Sequence, residues 1–245
     1  MYILTIETTG KLGSVSLIDG QGHVLGEKTA DDPMSHLKSL VPMICQLLDE
    51  TGIEKNQLTH IAASIGPGSF TGIRIGVSTA RALCQSLDLP GVAVPTLESF
   101  LRKKEAFCQG QDTAVCAIIN ARRGQVYGVI DGYLKPQPCM ITDIIQTIQE
   151  QIFPSKKSVI FFGDGIDAYQ RQIEEGLSGM GKYIFADKSC RYQDAVSAGI
   201  LAFDLIKEGK TADYEHLVPD YMRKAEAEQK LEAGELPICK GPRQE

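Results

Sequence analysis

The sequence predicts an α/β protein built as two similar lobes, each a sheet flanked by helices. Two observations lead there. Short runs rich in β-branched residues alternate with amphipathic helical stretches, and the round of elements that opens at Tyr2 starts again near Pro95. The chain of 245 residues has room for two units of roughly 100–150 residues each, although no sequence repeat links them. The first lobe is expected over residues 1–97, the second over 98–224, and a charged tail over 225–245.

Tyr2–Ile6, Ser14–Ile18 and His23–Lys28 read as a three-strand meander, turned at Thr8–Gly13 and at Asp19-Gly20-Gln21-Gly22. Asp32-Pro33 reads as an N-cap followed by Pro at the first helical position, opening a helix to about Asp49, with Gly52 beyond its end. Ile61–Ile65 is a buried strand, Ile73–Leu87 a helix stopped before Pro90, and Gly91–Val94 another strand. In the second round, Thr96–Phe107 is expected to be helical. Thr113–Asn120 and Gln125–Asp131 form a hairpin, Ile141–Gln151 a helix and Ser158–Phe162 a strand closed by Gly163-Asp164-Gly165. Ala168–Gly176 and Ala195–Glu208 are the last helices.

The net charge of −6 and a pI near 5.3 argue against unaided RNA binding, which relies on clustered Lys and Arg. Seven cysteines, at 45, 84, 108, 116, 139, 190 and 239, show no metal-ligand spacing. An odd, unpatterned set points to a reducing compartment. With no basic leader and no apolar run of membrane length, the protein is expected to be cytoplasmic and to have no membrane partner.

Two helices carry apolar seams. Met34, Leu37, Val41, Ile44 and Leu48 recur at three- and four-residue spacing, as do Ile73, Val77, Ala80, Cys84 and Leu87. Each seam can face its own sheet or a partner helix. Leu40 and Leu47 make the first helix apolar on more than one face, Pro42 removes one of its hydrogen bonds, and Gly72, Gly76 and Ala80 give the second a small-residue ridge.

Walker, HExxH, GxSxG and GxGxxG patterns are missing, and the four His, at 23, 36, 60 and 216, are not paired at helical spacing, so no metal site is expected. Two turns remain as candidate nucleotide- or phosphate-binding elements. One is Glu7-Thr8-Thr9, leaving the first strand; it reads equally as a polar hairpin. The other is Gly66-Pro67-Gly68-Ser69-Phe70-Thr71-Gly72, where a buried strand runs into a helix start. Gly68, Ser69 and Thr71 would there meet an anion, unless the segment is only a tight strand–helix turn.

The whole string GPGSFTGIRIGVSTARALC, residues 66–84, closely resembles the signature of the bacterial TsaB family of tRNA threonylcarbamoyladenosine-biosynthesis proteins. Further resemblances follow in order: Tyr2–Thr8, Ser35-His36 with Leu40-Val41-Pro42, Pro95-Thr96-Leu97-Glu98, Asn120–Tyr127, Gly163-Asp164-Gly165 and Pro219–Arg223. The resemblance implies two tandem actin/Hsp70/sugar-kinase-like (ribonuclease H-like) lobes with mixed central sheets. It implies a non-catalytic scaffold that heterodimerises with the catalytic paralogue TsaD, works with the ATPase TsaE and reaches tRNA through the complex. The modification is N6-threonylcarbamoyl on adenosine 37 of tRNAs reading ANN codons, and alone the chain would form a homodimer.

In nucleotide-using relatives of that superfamily an Asp followed by Gly and Thr stands at the first turn. Glu7 is one methylene longer and Thr9-Gly10 is displaced, and neutral Asn120 occupies the matching place in the second half. No catalytic residue is therefore carried over, and no cofactor is firmly implied beyond ATP or ADP at the partner interface. The resemblance places Leu37, Leu40, Val41, Ile44, Ile73, Arg74, Val77 and Ala80 at or beneath that interface, so that Val77→Glu is expected to stay folded and lose the partner. Autonomous ATP-dependent sugar-kinase-like phosphotransfer and a metallopeptidase activity are the alternatives.

Overall fold

The computed structural model of the chain describes residues 1–32, 36–104, 112–155 and 157–222, the side chains of His36 and Leu37 excepted. The meander is β1 (Tyr2–Glu7), β2 (Ser14–Asp19) and β3 (Val24–Thr29), followed by α1 (His36–Thr51), β4 (His60–Gly66), α2 (Phe70–Leu87) and β5 (Gly91–Pro95). These strands form one sheet in the order β3-β2-β1-β4-β5. β1 is antiparallel to β2, with Glu7 opposite Ser14, and parallel to β4, with Ile6 opposite Ala63. Both faces of β1 are buried, which is why Tyr2–Glu7 reads as a nearly continuous apolar run.

α3 (Thr96–Leu101) leads into the second round: β6 (Thr113–Asn120), β7 (Gln125–Ile130), β8 (Leu134–Met140), α4 (Ile141–Thr147, continued by a π turn over Ile148–Ile152), β9 (Ser158–Phe162), α5 (Gly165–Leu177), β10 (Tyr183–Phe185) and α6 (Ala195–Lys207). The second sheet runs β8-β7-β6-β9-β10, the first order repeated element for element. The two lobes thus share one topology, the mixed-sheet arrangement expected of an actin/Hsp70/sugar-kinase-like chain.

Local chemistry accounts for most of the boundaries. Ser69 caps α2 by accepting from the Gly72 amide at 3.2 Å, and Asp88 ends it in the left-handed region at φ 53°. Asp194 caps α6 through the Ser197 amide at 2.7 Å. β8 was not expected as a strand because Pro136 and Pro138 interrupt it. It lies at the sheet's edge, where an absent amide costs no ladder bond. α3 stops at Leu101, short of the expected Phe107, and residues 105–111 lie outside the described set, as do Pro33 and the tail from Ala225.

The helix that follows each completed sheet packs on the other lobe's sheet. Leu97 and Phe100 of α3 pack with Val115, Ala117, Ile119 and Phe162 of the second lobe. Ala198, Leu201, Ala202, Phe203 and Leu205 of α6 pack on Ile3, Ile18, Ala62, Val92 and Val94 of the first. The reason is coverage. α1 and α2 bury the face of the first sheet that carries Leu4, Ile6, Leu17 and Ile61, and its other face needs an apolar cover. The chain then stays with the first lobe: Ala212 pairs with Gly91, Leu217 enters its core, and the Asp220 amide donates to Ile65 O at 2.8 Å.

Candidate functional site

Both rounds end their first and fourth strands on one cleft between the lobes, about 1030 Å³ in volume. The first lobe contributes the turn after β1 (Thr9, Gly10, Lys11) and the start of α2 (Gly68–Gly72, Ile75). The second contributes the end of β6 (Ile119, Asn120), Arg122 and the start of α5 (Asp164, Asp167, Ala168). Glu7 and Asn120 end the equivalent strands β1 and β6. Gly66-Pro67-Gly68 and Gly163-Asp164-Gly165 leave the equivalent strands β4 and β9.

The first-lobe turn is locked from two sides. Thr8 Oγ1 donates to Gly72 O at 2.7 Å, and the Ser69 amide donates to Thr9 O at 2.8 Å. Helix and turn meet so closely that a Cβ on Gly72 would stand 1.9 Å from Thr8 O. Glu7 is fully enclosed behind Thr9. Its Oε1 accepts from both the amide and the hydroxyl of Thr9, the latter at 2.6 Å, while Oε2 has no partner among the described residues. Burial pushes the Glu7 carboxyl above its ordinary range; the Ser64 and Thr9 groups oppose this, and the Asp194 charge adds to it.

The second-lobe turn is more exposed. Asn120 is exposed; its amide donates to Asp164 Oδ1 at 2.9 Å, and its Oδ1 accepts from the Arg122 amide at 2.8 Å and Tyr169 OH at 3.2 Å. Burial raises the Asp164 carboxyl, against the pull of the Asn120 amide. Asp167 is held by Arg191 Nη1 at 2.7 Å and Tyr192 OH at 2.8 Å. Arg122 and Arg123 both sit in the left-handed region, at φ 65° and 54°, a conformation bulky residues rarely adopt.

Of the expected nucleotide- or phosphate-binding residues, Thr9, Gly68, Ser69 and Thr71 line the cleft, whereas Glu7 and Thr8 do not. Those two are buried, Thr8 bonded to α2 and Glu7 turned onto Thr9. Lys11, Arg122, Asp164 and Asp167 were missed as lining residues. Asn120–Tyr127 and Gly163-Asp164-Gly165 were the sequence signals that pointed to this wall.

The residues expected at a partner interface divide. Leu40, Ile44, Ile73, Val77 and Ala80 lie in the first lobe's core, with Val77 only 2% exposed. Their seams face the chain's own sheet, so Val77→Glu would place a charge in the core rather than probe a surface. Val41, 57% exposed, and Arg74 lie outside. The Arg74 guanidinium rests 4.0 Å above the Phe70 ring and its Nε donates to Tyr221 OH at 3.0 Å. The Leu37 side chain falls outside the described residues.

Comparison with known proteins agrees with this architecture. The sequence model of the family TsaD, tRNA N6-adenosine threonylcarbamoyltransferase, matches residues 24–231. The TsaB proteins, named for tRNA threonylcarbamoyladenosine biosynthesis, of Bacillus subtilis and Escherichia coli are 33% and 30% identical. The matches cover 94% of this chain in both cases and 97% and 98% of those proteins. Among solved structures, YeaZ from Pseudomonas aeruginosa superposes with a TM-score of 0.70 at 25% identity, covering 90% of this chain and 99% of that one. With a shared family model, full-length relatives at 30% identity or more and the same two-lobed fold, the chain belongs to the TsaB family of tRNA threonylcarbamoyladenosine biosynthesis proteins.

Proposed function

We propose that this protein serves tRNA threonylcarbamoyladenosine biosynthesis as a non-catalytic scaffold, heterodimerising with TsaD. The observation that carries the reading is the state of the two strand ends at the cleft. Asn120 is neutral, and the Glu7 carboxyl is enclosed and turned onto Thr9. Neither presents an ionised carboxylate to a nucleotide–metal pair. The exposed sides of α1 and α2, with Val41 and Arg74 over the buried Leu40, Ile44, Ile73, Val77 and Ala80, form the docking surface for TsaD, and for a second copy when TsaD is absent. TsaE completes the complex, any ATP or ADP sits where the partners meet, and tRNA is engaged through the assembly. No helix among the described residues is long and apolar enough to cross a membrane, which accords with work in the cytoplasm.

The test is reconstitution of tRNA threonylcarbamoylation from TsaD and TsaE with and without this chain. Product is expected only when the chain is present, and the chain alone is expected to turn over no ATP. ATP turnover by the isolated chain, lost in Glu7→Gln, would replace this reading with phosphotransfer. Metal-dependent peptide cleavage would replace it with a peptidase.

A further inference from the structure

Beyond Met222 the sequence opens with two cations, Arg223 and Lys224, and then turns acidic. Over residues 225–235 Glu226, Glu228, Glu232 and Glu235 are opposed by Lys230 alone, and Glu228, Leu231, Glu232 and Glu235 recur at three- and four-residue spacing. These residues lie outside the described set, but the place they leave from does not. The Asp220 amide donates to Ile65 O at 2.8 Å, which keeps the chain on the first lobe. The Tyr221 ring centre then lies 4.6 Å from that of Phe70, a residue of the first-lobe wall of the cleft. Met222 packs against the second-lobe cluster that contains Ile119, and Ile119 lines the opposite wall. Consecutive residues thus step from one wall to the cluster behind the other, and the chain departs beside the cleft.

The cleft offers charges of both signs, and its acids are already engaged. Asp167 is held by Arg191 and Tyr192, and Asp164 accepts the Asn120 amide. Its cations are not. Lys11, from the first lobe, and Arg122, from the second, are exposed, and among the described residues neither side chain has an ion-pair or hydrogen-bond partner. The start of α2 adds the exposed hydroxyls of Ser69 and Thr71, at the helix end that favours negative charge. Ile75 and Ile119 supply an apolar seat that suits Leu231. We propose that the cleft is a receptor for an acidic peptide, and that its occupant is this chain's own segment Glu226–Glu235, folded back onto Lys11, Arg122 and the start of α2. Ten residues span up to about 33 Å, enough to reach any wall of a cavity of 1030 Å³. Tethering holds such a segment at a roughly millimolar effective concentration. A phosphate-bearing solute that binds more weakly than that is kept out of the cleft.

Because receptor and occupant are one chain, the test needs no partner protein. The full chain is treated at low salt with a carbodiimide, which joins an amine directly to a carboxylate, and the linked peptides are mapped by mass spectrometry. Lys11 should be joined to one or more of Glu226, Glu228, Glu232 and Glu235 within a single chain, in a yield independent of protein concentration. Raising the salt to 1 M, where the Debye length is about 3 Å, should cut that yield several-fold. The second arm replaces all four glutamates by Gln in the full chain and measures binding of metal-free tripolyphosphate, which uses the same donors. An emptied cleft should bind this probe at least about twofold more tightly than wild type, since the apparent affinity scales with the open fraction. Absence of a link from Lys11 to the four glutamates, links formed only between two copies, or equal probe affinity in the two proteins would overturn the proposal.

Discussion

The two lobes share one topology and differ most where they meet the cleft. In the first, the β1 turn is pressed onto α2, so that a Cβ at Gly72 would stand 1.9 Å from Thr8 O, and its acid is enclosed. In the second, the matching Asn120 is exposed, and the close approach falls on the strand instead of the turn: a Cβ at Gly163 or Gly165 would stand 2.1 or 2.8 Å from Ile118 O. The strand order is the same in both lobes, while the acid at one strand end is enclosed and the residue at the other is exposed. Packing keeps the topology, and chemistry at strand ends varies on top of it.

The comparison breaks most sharply at the glycines. Gly72→Ala should cost at least about 3 kcal/mol, because the new methyl collides with backbone. Gly165→Ala should cost about 1–2 kcal/mol, because its contact is longer. Equal urea midpoints for the two variants would show that the contact at Gly72 is no tighter than the one at Gly165. A similar contrast holds within the first lobe. Val77→Glu, in the core, should unfold it, whereas Val41→Glu should leave stability within about 0.5 kcal/mol and weaken capture of TsaD in a pull-down. Full TsaD binding by Val41→Glu would move the docking surface elsewhere.

Smaller effects sharpen the joint itself. Lys103 is 5% exposed and Asp194 30%, so Lys103→Met should cost about 2 kcal/mol, less than a fully enclosed pair would. Asn120→Asp restores an acid at the second strand end beside Asp164. Like-charge repulsion should push Asp164 further above its ordinary range. The variant's deficit, about 1 kcal/mol, should therefore be absent at low pH and appear as pH rises through the carboxylate range, read from midpoints at several pH values.

Much of the first lobe was legible in the sequence. The meander and the 3.6-residue periodicity of α2 are local signals, and local signals survive into the fold; Ser69, read as an anion contact, caps a helix that starts at Phe70 and not at the expected Ile73. β8 was hidden by Pro136 and Pro138, whose reading depends on knowing that the strand lies at an edge. β10, three residues long, carries too little pattern to read. The crossing of α3 and α6 could not be read at all, since an apolar helix face does not say which sheet it will cover. For the same reason the seams of α1 and α2 pointed equally to a core and to a partner. At the candidate site the glycine turns were visible, but the enclosure of Glu7 depends on Ala195 and Ser14 meeting across the chain.

That crossing also sets an order of events at the ribosome. β5 ends at Pro95 and the helix that covers its sheet begins at Ala195. At about 5–20 residues per second, translation of the stretch between them lasts roughly 5–20 s. Through that interval Ile3, Ile18, Val92 and Val94 lack their cover. The nascent first lobe thus carries an uncovered apolar face until its own distant helix arrives.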